Sequence, residues 1–99
     1  MPKNNDRQIL QKAINIKFIG WSSDWIFDSY NNDSAEILYI DRSNSNKWIV
    51  IGTFWVTRLG QRLKQNFTAI IYIYGNGNWK ISKLCYDDPS VGDKDCKYY

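Results

Sequence analysis

Between residues 47 and 86, apolar and polar positions alternate with a period of two, the signature of strands with one buried face. The segments KWIVIGTFWVTRL (47–59) and RLKQNFTAIIYIY (62–74) are separated by Gly60-Gln61. A Gly-X pair suits a type II′ hairpin turn, whose first central residue needs positive φ. Closing the turn there sets Trp48 opposite Ile73, Val50 opposite Ile71, Gly52 opposite Ala69 and Phe54 opposite Phe67. Apolar then faces apolar along one side of the pair, and a one-residue slip would mix the two faces.

A second hairpin is predicted at Gly75-Asn76-Gly77-Asn78, where Asn-Gly is the strongest short-range hairpin signal. Centring on Asn76-Gly77 pairs Tyr74 with Trp79, Tyr72 with Ile81, Ala69 with Leu84 and Phe67 with Tyr86. One face then carries Trp48, Val50, Phe54, Val56, Phe67, Ile71, Ile73, Leu84 and Tyr86. The other carries Ile49, Ile51, Trp55, Ile70, Tyr72, Tyr74, Trp79 and Ile81, too apolar for a plain solvent face, so something covers it or binds it.

The flanking segments are less regular. Residues 1–5 read as a frayed terminus. Asp6 can cap a helix whose apolar positions Leu10, Ala13/Ile14, Phe18 and Trp21 recur at helical spacing. AINIKF (13–18) also alternates, so a strand is the competing reading; the helix is preferred because the sheet needs a cover. Gly52 opposite Ala69 would leave a shallow place for that helix to cross. Residues 21–34 are undecided, with Trp21, Trp25 and Phe27 at the helix end or sheet rim and a turn at Asn31-Asn32-Asp33-Ser34. SAEILYID (34–41) reads as the first strand and RSNSN (42–46) as its turn. Pro89 ends the last strand, because it cannot donate to a ladder. The fold class is therefore α+β: an N-terminal helix packed on a four-stranded antiparallel meander. The 99 residues make one domain, with 6–33 as helical cover, 34–86 as meander and 87–99 as acidic tail.

Hydrophobic content of 43% and aromatic content of 16%, with five Trp and seven Tyr, exclude a disordered chain. No apolar run reaches membrane-span length, and MPKNNDRQIL lacks the core of a signal peptide. The net charge of +3 hides a segmented layout. Residues 24–41 hold Asp24, Asp28, Asp33, Glu36 and Asp41 and no base; residues 42–86 hold Arg42, Lys47, Arg58, Arg62, Lys64, Lys80 and Lys83 and no acid. Either acidic and basic segments compensate each other in the fold, or the sheet presents a basic surface to an anionic partner.

A leading helix followed by long antiparallel strands, carried by WIVIGTFWV and FTAIIYIYGNGNWKISKLCY, resembles the cystatin-like and nuclear transport factor 2-like α+β domains. The likeness covers roughly residues 6–86 and lies in element order rather than in a motif. It implies a fold. No cystatin inhibitory motif is present, so protease inhibition is not implied.

The chain has no His, which removes imidazole catalysis and the commonest metal ligand. Cys85 and Cys96 have no second pair for a zinc site; they can close the acidic loop as a disulfide, favouring an exported or periplasmic protein if residue 1 lies inside a longer precursor. Free thiols would favour the cytoplasm. Asp24 and Asp28 near Trp21, Trp25 and Tyr30 are an acid–base pair to test against plain solvated acids, and Asp87, Asp88, Asp93 and Asp95 are a calcium cluster to test, though without EF-hand spacing. No cofactor is implied. The most specific candidate is the second sheet face: Trp55, Tyr72, Tyr74 and Trp79 with Arg58, Arg62, Lys80 and Lys83. The expectation is a non-catalytic module binding a protein partner or a second copy of itself there. A small enzyme using Asp and Tyr, and a nucleic-acid binder, are the alternatives.

Overall fold

The computed structural model describes residues 3–22, 28–31, 33–88 and 93–99. One helix, α1 (Lys3–Ser22), precedes six strands: β1 (Asp28–Tyr30), β2 (Glu36–Asn44), β3 (Lys47–Arg58), β4 (Gln61–Ile73), β5 (Trp79–Asp88) and β6 (Asp93–Tyr98). All pairings are antiparallel. The sheet is five positions wide, because β1 and β2 lie one after the other along the same edge of β3, followed by β4, β5 and β6. The expected four strands are present as β2–β5. The expectation of a four-stranded meander is corrected at both ends: the undecided stretch contributes β1, and the acidic tail pairs as β6. β5 stops at Asp88, the residue before Pro89.

The helix starts at Lys3, three residues ahead of the expected Asp6 cap, which leaves Asp6 inside the first turn. There its carboxylate offsets the positive end of the helix dipole. Leu10, Ile14 and Phe18, at four-residue spacing, bury completely against Val50, Phe54, Val56, Phe67, Ala69, Ile71 and Leu84. Phe18 stacks on Phe54 with ring centroids 4.3 Å apart and meets Phe67 edge-on at 5.7 Å. Burying such side chains supplies about 1.5–3 kcal/mol each, the main force holding helix to sheet. The long β3–β4 pair draws the molecule out to 44 Å in its longest dimension.

The first turn corrects the expected register. Arg58 pairs with Gln61, so the central residues are Leu59 (φ 50°) and Gly60 (φ 81°), both left-handed. Two positive-φ residues match the right-handed twist of a hairpin. Trp48 now faces Ile71, Val50 faces Ala69 and Gly52 faces Phe67. The shift is by two in pairing, so every side chain keeps its predicted face. A Cβ on Gly52 would lie 2.2 Å from the Glu36 carbonyl oxygen and 2.6 Å from the Phe67 ring. The shallow place is thus filled by a neighbouring strand's aromatic, as rings commonly cover strand glycines, and not by the helix.

The second hairpin corrects two side chains outright. Its loop has three residues rather than two: Gly77 N–H bonds the Tyr74 carbonyl at 2.9 Å, Gly77 takes φ 85°, and Tyr74 N–H bonds the Asn78 carbonyl at 2.7 Å. Ile73 therefore pairs with Trp79 and Ile71 with Ile81, turning both β5 side chains to the core side. Ile81 is buried and Trp79 packs partly buried against the core, away from the second face. A bulge at Ser82 then restores the expected pairing, with Ile70 opposite Lys83 and Phe67 opposite Tyr86. The Ser82 hydroxyl bonds the Ile70 carbonyl at 3.2 Å.

One stretch of the sheet edge, residues 35–37, is closed by side chains. Arg7, Gln11 and Asn15 recur every four residues on α1 and lie along the free edge of residues 35–37. Arg7 donates to the Ile37 carbonyl, and Gln11 Oε1 accepts the Ile37 N–H at 3.0 Å. Asn15 Nδ2 donates to the Ala35 carbonyl at 3.2 Å while its Oδ1 accepts the Ala35 N–H at 3.0 Å. Asn15 is buried, and Tyr30 Oη donates to the same Oδ1. Burial pushes the Tyr30 phenol above its ordinary pKa, against a lowering contribution from the Ala35 backbone.

Candidate functional site

The face of the sheet opposite α1 is built by the period-two alternation of β2 to β6. Reading across the pairings, one row runs Tyr39, Ile51, Thr68, Cys85 and Cys96; the next runs Asp41, Ile49, Ile70, Lys83 and Tyr98; a third holds Lys47, Tyr72 and Lys80. Ile51, Tyr72, Tyr39 and Tyr98 are exposed by 42%, 44%, 59% and 73%, while Ile49 and Ile70 between them are half-buried. The face is therefore apolar at its centre and open to solvent, well beyond scattered single exposures.

Cys85 and Cys96, directly opposite on adjacent strands, are joined by a disulfide with Cα atoms 4.0 Å apart. The bond ties β6 to the sheet and fixes Tyr98 on this face, two residues further along. Tyr98 had no place in the expected site, because the tail read as a loop. The signal was the cysteine pair itself: once Cys85 faces Cys96, alternation puts Lys83 beside Tyr98. Tyr39 was likewise missed, since bulges in β2 break its alternation.

The expected site residues fall into two groups on this face. Tyr72, Tyr74, Lys80 and Lys83 lie towards the β4–β5 turn, with Lys80 opposite Tyr72. Trp55 and Arg62 lie towards the β3–β4 turn, where Trp55 pairs with Lys64. Tyr72 follows Lys64 by eight positions along β4, about 26 Å at strand rise. Trp79 does not join either group, for the reason given by the three-residue loop. Arg58 is the last residue of β3, and its side chain lies outside the described residues.

The two groups differ in what their aromatics already hold. Arg62 stacks over the Trp55 indole at 4.4 Å from its centroid, and Lys64 lies at 5.9 Å. Lys83 sits 5.2 Å from the Tyr98 ring. These contacts use the negative ring faces that a base or cation would need. Positive charge runs along β3 to β5 through Lys47, Lys64, Arg62, Lys80 and Lys83, whereas Glu36 and Asp41 mark the β2 edge. Asp41 is held below the usual carboxylate range by hydrogen bonds from the Ser43 hydroxyl and then its N–H, at 2.6 and 2.9 Å.

Among the described residues, no three or more of Asp, Glu, Cys or His gather as a metal site. Asp24 lies outside the described residues, as do the side chains of Asp28, Asp87, Asp88, Asp93 and Asp95. Among the described residues no helix is long and apolar enough to cross a membrane.

The fold and this face define a small α+β domain: one helix on one side of an antiparallel sheet, and an exposed apolar centre with a basic flank on the other. No protein-family model, no curated protein and no solved structure matches the chain.

Proposed function

We propose that the protein is a non-catalytic binding module whose outer sheet face receives a protein partner carrying apolar and acidic side chains. The observation that carries the reading is the contiguous exposure of Tyr39, Ile51, Tyr72 and Tyr98 beside Lys80 and Lys83. Apolar anchors inside a charged rim are the anatomy of a protein interface, with the lysines selecting and steering an acidic surface. Single-stranded nucleic acid is the second reading, since exposed tyrosines beside lysines can stack bases. It is disfavoured because Trp55 and Tyr98 already carry intrachain cations and Tyr39 lies at the acidic β2 edge. A disulfide on this face suits an oxidising compartment, so export belongs to the same proposal. The likeness to cystatin-like and nuclear transport factor 2-like domains enters it only as element order.

The test is a titration followed by amide NMR, using a random glutamate–tyrosine copolymer, an oligothymidylate and the protein itself over a concentration series. The reading expects saturable shifts at Ile51, Tyr72 and Lys83 with the acidic copolymer, weakened several-fold by Lys83→Glu. Tighter oligothymidylate binding that falls steeply with salt would transfer the face to nucleic acid. Concentration-dependent shifts of the same residues would assign it to a homodimer. No response at this face in any of the three would overturn the proposal.

A further inference from the structure

On the core side of the sheet, at the end nearest the helix N-terminus, lies a pocket of about 130 Å³ lined by Asp6, Ile9, Leu10, Trp48, Gly77 and Trp79. Its walls come from three elements: the first turns of α1 above, Trp48 at the start of β3, and Trp79 with the β4–β5 turn on the far side. Two irregularities described above create it. The three-residue loop turns Trp79 to this side of the sheet, and Gly77 leaves space where a side chain would stand, with no atom within 4 Å of its would-be Cβ.

The lining has a consistent chemistry. Two indoles and two aliphatic chains surround one carboxylate, and among the described residues no Lys or Arg lies between them. Among the described residues the Asp6 side chain has no hydrogen-bond or ion-pair partner. Arg42 stacks over the Trp48 indole at 4.6 Å from outside the lining and occupies that part of the ring. An anion would meet the Asp6 carboxylate and the negative indole faces, and a neutral apolar group would leave the carboxylate unused. A bare ammonium needs several acceptors for its N–H groups, and the lining offers one carboxylate. Methyl groups remove that need and replace hydration by contact with indole and aliphatic carbon, as in aromatic cages. The volume is below the several hundred Å³ of drug-sized sites, so it fits a head group.

We infer that this pocket is a binding site for a methylated ammonium head group, with Trp48 and Trp79 as its aromatic walls and Asp6 as its counter-charge. The site lies across the sheet from the proposed protein-binding face and is independent of it.

The experiment titrates the whole protein with choline and, separately, with 3,3-dimethylbutan-1-ol, its uncharged isostere of the same shape, following amide and indole N–H resonances. Saturable choline shifts are expected at the Trp48 and Trp79 indoles and the Gly77 amide, with the isostere at least tenfold weaker. Asp6→Asn should weaken choline about tenfold, with only the few-degree fall in melting temperature that loss of a first-turn carboxylate brings. Because the wild-type comparison alone separates charge from shape, the test survives a variant that folds poorly. A trimethyllysine amide that binds more tightly than choline would place the head group on a protein side chain; one that binds more weakly would place it on a free small molecule. Equal response to choline and its isostere, shifts confined to other tryptophans, or no saturation would overturn the assignment.

Discussion

Replacing Asn15 by Leu tests the bonding between helix and sheet edge most directly. Asn15 is only 4% exposed and lies within bonding distance of four groups: the Ala35 N–H, the Ala35 carbonyl, the Tyr30 hydroxyl and, within the helix, the Gln11 carbonyl, which keeps its own helical bond. Leucine keeps the volume and removes the polarity. The Ala35 N–H retains the Tyr30 oxygen at 3.2 Å, so two groups lose their partner: the Ala35 carbonyl and the Tyr30 proton. A buried polar group stripped of its partner costs about 1–3 kcal/mol, and the added apolar burial offsets part of that, leaving a loss of about 2–4 kcal/mol. For a domain of this size, the melting temperature should fall by roughly 10–25 °C. Urea unfolding followed by tryptophan fluorescence measures it, with Ile16→Ala, on the exposed face one residue along, as a control expected within about 0.5 kcal/mol. Tyr30→Phe removes the stranded proton, so the double variant should be less unstable than the sum of the singles by about 1 kcal/mol. An Asn15→Leu protein within 0.5 kcal/mol of the parent, or strict additivity with Tyr30→Phe, would refute the reasoning.

Gly52→Ala should destabilise by about 2–3 kcal/mol, since the new Cβ meets backbone as well as a ring; an unchanged melting curve would contradict the Gly52–Phe67 approach. Leu59→Asn should stabilise by about 1 kcal/mol, because Leu59 holds φ 50° while 83% exposed and asparagine tolerates that conformation better; a lower melting temperature would count against the turn assignment. The raised Tyr30 pKa means that the folded chain keeps a proton the unfolded chain releases. Its contribution is complete well below pH ~10 and is lost as pH rises through the folded value, so wild type should lose stability faster than Tyr30→Phe as pH rises above about 10. Parallel pH curves would refute this. Reduction of Cys85–Cys96 should cost about 3 kcal/mol and speed amide exchange in β6 ahead of β3 and β4; equal protection with and without reductant would show that β6 holds by pairing alone.

Much of the architecture was legible because period-two alternation survives errors in turn placement. Moving the first turn from Gly60-Gln61 to Leu59-Gly60 changed each partner and left Val50, Phe54, Phe67 and Ile71 inside. Trp79 and Ile81 were lost for a different reason. An extra loop residue and the Ser82 bulge each displace the register by one and cancel, so both ends of the hairpin looked consistent while the stretch between them was inverted. The helix core positions Leu10, Ile14 and Phe18 were legible from spacing, whereas the bonding of Arg7, Gln11 and Asn15 was not, because their partners are backbone groups without a sequence signature. The outer face was anticipated as apolar and basic. Its true centre was not, since Tyr98 depended on a tail that carried more charge than strand character.

The row of helix side chains along residues 35–37 gives the sheet a direction. A further strand arriving at that edge would find Ala35 and Ile37 already bonded and would have to displace Arg7, Gln11 and Asn15, whereas β6 has a neighbouring strand on one side only. Addition is thus hindered along residues 35–37, where the backbone groups that face outward are already bonded. Two copies meeting β6 to β6 would leave this bonded stretch on the outer edge of each copy.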